Sequence, residues 1–451
     1  MASISGETMT LPGPLEPDVS RSAQAIPRSL RLNTLVTASS SVARGVLGFA
    51  ASLVVTRALS TDARGIYSFT TNATSLLVML AGVGVPSAMT TMKAQGKADT
   101  GELYRASYLV GVAAGAATSL AFLAAYMLQP GALFRGVTPT VAIIVAFLIP
   151  IMLVLTYWSV VAYLDDRLIE FGLATVGASA IMLLAVLGLA LGRALNGFSV
   201  VLVWGLTTVL PVLIIARPSQ LLGAWRSRAT ARQLFRFGLR VNLATIALIL
   251  TWRLDVFFVK GFRGARELAF YVVAVGVAEI ILQVAVSFRV ALTPLQGRAS
   301  DRAKLVETII ALTRLTVLVG SIGALLLAVF SHFIVISLFG TRYAPSAAAL
   351  VWLVPGVVAL VAQGPLIDYL LAEDHLAGVT KITGIALIVN VVLNVGLLQQ
   401  FDFVVAAAAS SVAYFISFAA CVFLFARHTH TPSRKLLIPI MDDLRNLARR
   451  R

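Results

Sequence analysis

The sequence predicts an all-α polytopic membrane protein with about twelve transmembrane helices in two six-helix lobes. Three observations predict it: the overall apolarity, the regular recurrence of long apolar runs, and one phrase that occurs twice. Hydrophobic residues make up 59% of 451 positions and mean hydropathy is +0.91, well above a soluble domain that needs polar outer faces. Stretches of about 20 apolar residues each suffice to cross a hydrocarbon core about 30 Å thick. After the first of them the chain reads Val55-Thr56-Arg57-Ala58-Leu59-Ser60-Thr61-Asp62-Ala63-Arg64-Gly65-Ile66-Tyr67. After the seventh it reads Val259-Lys260-Gly261-Phe262-Arg263-Gly264-Ala265-Arg266-Glu267-Leu268-Ala269-Phe270-Tyr271. A phrase recurring at this distance points to a repeat of several helices. An even number of spans per repeat makes both lobes enter the membrane from the same side, related by a pseudo-twofold axis along the membrane normal. Such a plan suits alternating access.

In chain order, residues 1–30 are rich in Ser, Pro and Thr and carry no apolar run, so they read as a disordered cytoplasmic leader and not as a cleaved signal. Residues 31–217 form the first lobe, with spans near 33–55, 66–90, 105–128, 138–163, 168–192 and 197–217. A basic cytoplasmic linker, 218–235, joins it to the second lobe, 236–428, with spans near 236–259, 268–292, 308–331, 346–372, 378–399 and 402–427. The tail, 429–451, sets Ile440, Leu444 and Leu447 on one helical face beside Arg445, Arg449, Arg450 and Arg451. That pattern suits an amphipathic helix on an anionic membrane surface.

The formal charge of +16 suggests a nucleic-acid partner until the basic residues are placed. With the N-terminus inside, cytoplasmic segments hold about three times as many Lys and Arg as outward loops, as the positive-inside rule requires. The charge is a topology signal, both termini are expected inside, and no nucleic acid is expected. Cys421 is the only cysteine and the four histidines are scattered, so no clustered metal-ligand motif exists. No P-loop is present, which excludes direct ATP drive of that kind. Every outward connection is short, which disfavours a membrane-embedded ligase, polymerase or glycosyltransferase; no enzyme activity is expected.

From Asn33 to Arg427 the chain resembles the Wzx-type polysaccharide flippases, relatives of lipid II flippases and MATE-type multidrug exporters. The resemblance rests on Leu59 to Tyr67, on Gly82-Val83-Gly84-Val85-Pro86-Ser87-Ala88, and on Phe237-Gly238-Leu239. It continues through Asp255, Ala269-Phe270-Tyr271, Phe339-Gly340-Thr341-Arg342-Tyr343-Ala344 and Asn390-Val391-Val392-Leu393-Asn394. Ser41 to Phe49 also looks like the Arg- and Gly-rich first helix of lipid II flippases, which usually carry more spans than this chain offers. The loop Lys93 to Asp99 lacks the Gly, Asp and Arg signature of the major facilitator superfamily. The resemblance implies a MATE-like fold, a bacterial inner-membrane location and a lipid-linked oligosaccharide as cargo. It also implies coupling to Na⁺ or H⁺ through polar groups of spans seven and eleven.

Charges inside a membrane cost about 2.5–3.5 kcal/mol each on insertion scales, so each needs a reason. Arg44 lies about 16 Å into span one, near the midplane. There a guanidinium facing an aqueous cavity would take a phosphate oxygen pair; the structural alternative is a pair with Glu279. Arg289 and Arg314, toward the cytoplasmic ends of spans eight and nine, would extend a cationic mouth, or serve as snorkelled anchors. Arg253 is set on a different face from Asp255, and no salt bridge between them is expected. Asn390 and Asn394 share a helix face at the depth of Asp255, and Ser410 and Ser411 reach a comparable depth from span twelve. One carboxylate, two amide oxygens and a hydroxyl suit a hard monovalent cation or a proton held by Asp255; the structural alternative is interhelical hydrogen bonding. Glu279, near the middle of span eight, is the second proton-carrier candidate.

The expected function is a flippase that moves an undecaprenyl-pyrophosphate-linked oligosaccharide to the outer leaflet by rocking two lobes, for surface or exopolysaccharide synthesis. It would need no cofactor beyond the coupling Na⁺ or H⁺. Its partners would be membrane lipids and the glycosyltransferases and polymerase of the same pathway. The rivals are a MATE-like multidrug or cation antiporter, which Arg44 disfavours, and a lipid II flippase.

Overall fold

In lipid every backbone N–H and C=O must find a partner inside its own segment, so long apolar runs become α-helices. In the computed structural model every regular element among the described residues is a helix or a 3-10 turn. The structure describes residues 28–437 apart from 83, 129, 130, 132, 241, 242, 297–301 and 433, and describes no side chains over 28–38, 239–244, 282–296, 434 and 437. Of the expected leader, 1–30, residues 1–27 lie outside the described residues and 28–30 begin the first helix; the part of the expected tail beyond 437 also lies outside them.

The first half contains α1 (Arg28–Ala58), α2 (Thr61–Gly82), α3 (Val85–Ala94), α4 (Thr100–Leu128), α5 (Pro139–Leu164), α6 (Leu168–Leu191) and α7 (Gly197–Ile215). The connection holds α8 (Pro218–Leu221) and α9 (Arg228–Arg240). The second half contains α10 (Leu243–Arg253), α11 (Asp255–Gln296), α12 (Arg302–Val329), α13 (Ser331–Phe339), α14 (Ser346–Ala362), α15 (Gly364–Ala372), α16 (Leu376–Leu397), α17 (Val404–Thr429) and α18 (Arg434–Leu437). Local chemistry sets the ends. Thr138 accepts from the Val141 N–H ahead of Pro139 at the start of α5, and Asn196 and Ser199 form a reciprocal capping box on α7.

Among the described residues ten helices are long and apolar enough to cross a membrane, and the chain is a multi-pass membrane protein. Two of these are broken pairs. α2 and α3 meet at Gly84, held at φ 85° and followed by Pro86 in the first turn of α3; α14 gives way to α15 at Gln363, with Pro365 in the first turn of α15. The expected spans seven and eight fall on α10 and α11, where the boundaries differ from the sequence reading. Residues 236–240 belong to α9, the helix restarts at Leu243, and Gly264 at φ 87° divides α11 into two helices. Only glycine adopts that left-handed conformation without steric cost. Large apolar side chains such as Leu120, Phe147, Leu184 and Phe423 stay exposed, as suits surfaces facing lipid.

The basic connection is folded. α9 packs on α3 and α4 with Ala231 and Leu234 buried, Thr230 donates to Glu102, and Arg105 Nε donates to Ser227 Oγ at 3.3 Å. Within each half the helices pack closely, through α1 with α6 and α4 with α5 in the first and α14 with α17 and α10 with α16 in the second. The halves meet along α2 and α11, where the two copies of the repeated phrase touch: a Cβ on Gly65 would lie 1.8 Å from the Ala265 carbonyl oxygen. Beside that contact is a reciprocal clamp. Arg57 Nε donates to the Leu338 carbonyl at 2.8 Å and its Nη2 to that of Ser337. Arg342 donates in return to the carbonyls of Leu59 at 3.1 Å and Arg57 at 3.2 Å.

Candidate functional site

Among the described residues, two polar regions inside this apolar bundle hold expected site residues. The first forms where the break between α10 and α11 meets α16 and α17. Asp255 opens α11 and is 3% exposed. Its Oδ1 accepts from the Val256 N–H at 2.8 Å, while Oδ2 accepts from Tyr271 OH and from Ser410 Oγ at 3.3 Å. Asn390 Nδ2 donates to Ser410 Oγ at 3.3 Å, and Asn394 Nδ2 donates to Asn390 Oδ1 at 3.2 Å. The four-residue spacing on α16 is what lets the two amides touch. Asn390, Asn394, Ser410 and Tyr271 are fully buried, and Asn394 Oδ1 has no hydrogen-bond partner. The structure thus brings together Asp255, Asn390, Asn394 and Ser410, adds Tyr271, and leaves one amide acceptor free.

Ser411 does not belong to this group. One residue along α17 turns its side chain by about 100°, and its Oγ donates to the Trp352 carbonyl at 2.6 Å on α14. Glu279 is also elsewhere, half-buried and ion-paired with Arg253 at 3.0 Å. That pairing is available because Arg253 does not pair with Asp255, and it leaves Glu279 engaged by a group other than Arg44.

The second region is a cavity of about 540 Å³ within the first half, between α1, α2, α5, α6 and α7, with Val272 of α11 closing one side. Arg44 lines it, exposed on α1. So do Arg64, Tyr67 and Trp204, together with a wall of small hydroxyls and one amide, Asn72. Five of these hydroxyls have a common orientation. Thr71 donates to the Tyr67 carbonyl, Thr175 to Phe171, Ser179 to Thr175, Thr207 to Val203 and Thr208 to Trp204, each four residues back on its own helix. With the proton spent on the backbone, each oxygen offers acceptor lone pairs to the cavity.

Arg314 does not line an open mouth. It is 6% exposed, and its Nε donates to the Lys435 carbonyl, tying α12 to α18. The chain following α17 folds back against α12, which the sequence of the tail did not disclose. The side chain of Arg289 lies outside the described residues. Sequence reasoning missed Arg64 and the hydroxyl wall. Arg64 falls between the expected spans 33–55 and 66–90, although Arg64, Tyr67 and Ser68 have the spacing of one helix face; the hydroxyls are scattered over four helices and carry no local pattern.

Solved structures share this architecture at low identity. The lipid II flippase MurJ in an inward closed conformation superposes with a TM-score of 0.70 at 11% identity, covering 89% of this chain and 89% of that chain. A variant of the Vibrio cholerae MATE transporter VcmN gives a TM-score of 0.60 at 13% identity, covering 90% of this chain and 97% of that chain. At such identities the likeness is one of fold. No curated protein matches the sequence significantly. The profile of the family described as "Polysaccharide biosynthesis protein" matches residues 30–300, more than half of the 451, and with the all-helical membrane architecture and the buried polar regions it places this chain in the polysaccharide biosynthesis protein family.

Proposed function

We propose that this protein is a flippase that carries a lipid-linked oligosaccharide, joined to undecaprenyl through a pyrophosphate, across the bacterial inner membrane. The observation that carries this reading is the cavity: arginine at Arg44 and Arg64, acceptor oxygens from five helix-bonded hydroxyls, and the aromatic faces of Tyr67 and Trp204. Sugar hydroxyls are donors that such acceptors match, aromatic faces pack on sugar rings, and guanidinium binds phosphate oxygens in pairs. Two guanidinium groups on the wall disfavour a cationic cargo by simple repulsion. The family and the fold shared with a lipid II flippase support the same reading. In this reading no covalent bond is made or broken, the positive-inside rule sets both termini in the cytoplasm, and the halves rock about the α2–α11 contact.

The buried cluster at Asp255 is proposed as the coupling site. Its donor set fits a small hard cation, with the carboxylate of Asp255 and the amide oxygens of Asn390 and the unpartnered Asn394 as ligands. It fits equally a proton on Asp255, shared with Tyr271 and Ser410.

The test is transport of a fluorescent lipid-linked oligosaccharide in proteoliposomes, read by accessibility to a membrane-impermeant quencher. Wild type should equilibrate the lipid between leaflets, and Arg44→Ala should slow that by about tenfold or more, the equivalent of one lost charge-assisted contact. Equal rates in protein-containing and empty vesicles would exclude the flippase reading.

A further inference from the structure

From Pro218 to Arg240 the chain carries five arginines and no aspartate or glutamate. Packing sorts this connection into two faces. Ala224, Ser227, Thr230, Ala231 and Leu234 are buried, a rhythm of three and four residues that gives one side to α3 and α4. Arg228, Arg232 and Arg236 recur every fourth residue, about 6 Å apart along the axis of α9. They stand exposed away from that packing, as does Arg226 in the turn before the helix. Among the described residues none of these four pairs with a carboxylate. At the start of α4, Glu102 accepts from Thr230 and Asp99 accepts from the Glu102 N–H, so the acids beside the connection are spent on local contacts.

Positive charge alone needs no ligand here, because fixing the side of the membrane accounts for it. The apolar groups beside the charge do need a partner. Leu222 is 81% and Trp225 66% exposed. The Arg228 guanidinium carbon lies 3.2 Å from the centre of the Trp225 ring, which sets the indole at the head of the arginine stripe. Phe235, also exposed, comes seven residues after Arg228 and returns to within about 20° of it around the helix. A basic stripe edged by apolar rings is the pattern of a helix lying in a membrane interface, with indole at headgroup level. Its position agrees. α9 packs on α3 and α4, and Pro218 follows closely on the end of α7 at Ile215; α3, α4 and α7 all belong to segments apolar enough to cross a membrane. We propose that the outward face of α9, with Leu222 and Trp225, docks onto anionic phospholipid headgroups. The guanidinium groups take the phosphates, and the apolar side chains enter the acyl boundary. An acidic protein segment would match the arginines, but a surface at the ends of these spans meets lipid first. None of its residues lines the cavity, so the docking surface is independent of what the protein carries.

Trp225 supplies the reporter. The full-length protein is placed in phosphatidylcholine nanodiscs holding a graded fraction of either dibrominated phosphatidylglycerol or dibrominated phosphatidylcholine. The quenching of indole fluorescence that Trp225→Phe removes belongs to Trp225. In wild type the brominated phosphatidylglycerol should quench that component at a lower fraction than brominated phosphatidylcholine does, and the preference should shrink as salt screens the charges. Arg228→Gln, Arg232→Gln and Arg236→Gln together should raise the phosphatidylglycerol fraction needed for half-maximal quenching by about tenfold or more, since each charge near the surface contributes about fivefold. Arg228→Lys, Arg232→Lys and Arg236→Lys together should keep most of the preference, which separates loss of charge from misfolding. Equal quenching by the two lipids in wild type, a preference that survives in the glutamine variant, or one lost in the lysine variant as well overturns the site. No quenching of Trp225 by either lipid, with soluble polyglutamate bound through the same arginines, assigns the face to an acidic protein segment and overturns it too.

Discussion

At Asp255 a single carboxylate collects three hydrogen-bond donors, from Val256, Tyr271 and Ser410, and it is the only formal charge in its cluster. Asp255→Asn keeps the size and removes that charge. Coupled transport in proteoliposomes with imposed gradients should then lose its response to the driving ion, while passive equilibration persists. If Na⁺ is the ion, the wild-type response follows the Na⁺ gradient at fixed pH, and Asn394→Asp should keep or strengthen it because the unpartnered Asn394 Oδ1 becomes a second carboxylate oxygen. If Asp255 carries a proton, the response follows the pH gradient and ignores Na⁺. An Asp255→Asn protein that responds to both gradients as wild type does makes the cluster structural. The asparagine pair and the aspartate were legible in the sequence, since polar groups in apolar runs stand out. Tyr271 was not, because an aromatic residue in a membrane helix reads as ordinary packing until its hydroxyl is seen against the carboxylate. Ser411 failed for the opposite reason: depth can be counted along a helix, whereas facing depends on the rotation of α17 against α14.

Between elements, close approach is bought by missing side chains. On α4, Gly111 and Gly115 form a small-residue face against α5; a Cβ at Gly115 would lie 2.4 Å from the Pro150 Cα. On α14, Gly356 does the same against Ser411 of α17, at 2.3 Å from its Cα. Helix association in lipid depends on such packing, because lipid tails are as apolar as the helices. Gly115→Ala should therefore lower thermal stability in detergent by about 1–3 kcal/mol through overpacking. Gly177→Ala on α6, where nothing lies within 4 Å, should be neutral or gain about 0.5–1 kcal/mol from helix propensity. Equal melting temperatures for the two variants would remove the packing argument. The glycine spacing on α4 is visible in the sequence, but its partner is not. The chain order offers several neighbours, and only the packed structure selects α5.

For the whole molecule, the clamp between Arg57 and Arg342 is a reciprocal, directional link between the halves. Each guanidinium donates to two backbone carbonyls of the opposite half, and each such bond contributes about 0.5–1.5 kcal/mol, more for a charged donor. Replacing both arginines by alanine should shift the population away from the closed arrangement by about tenfold or more. Spin labels at the exposed Ser60 and Thr341 should then report longer and broader distances than in wild type. An unchanged distribution would show that the Gly65 approach to Ala265 is sufficient to hold this end shut.

The sequence by itself determined that the chain is helical, spans a membrane many times and contains a repeated phrase, because apolar length, composition and charge placement act locally along the chain. It also identified Asp255, Asn390 and Asn394, whose cost in lipid is local too. Only the tertiary structure decided what faces what: that the two repeated phrases touch each other, that Arg314 holds α18, that α9 folds onto α3 and α4, and that Arg44 and Arg64 line one cavity. Those outcomes depend on helix rotation and on which helices pack together, and both are set by the summed close packing of many side chains.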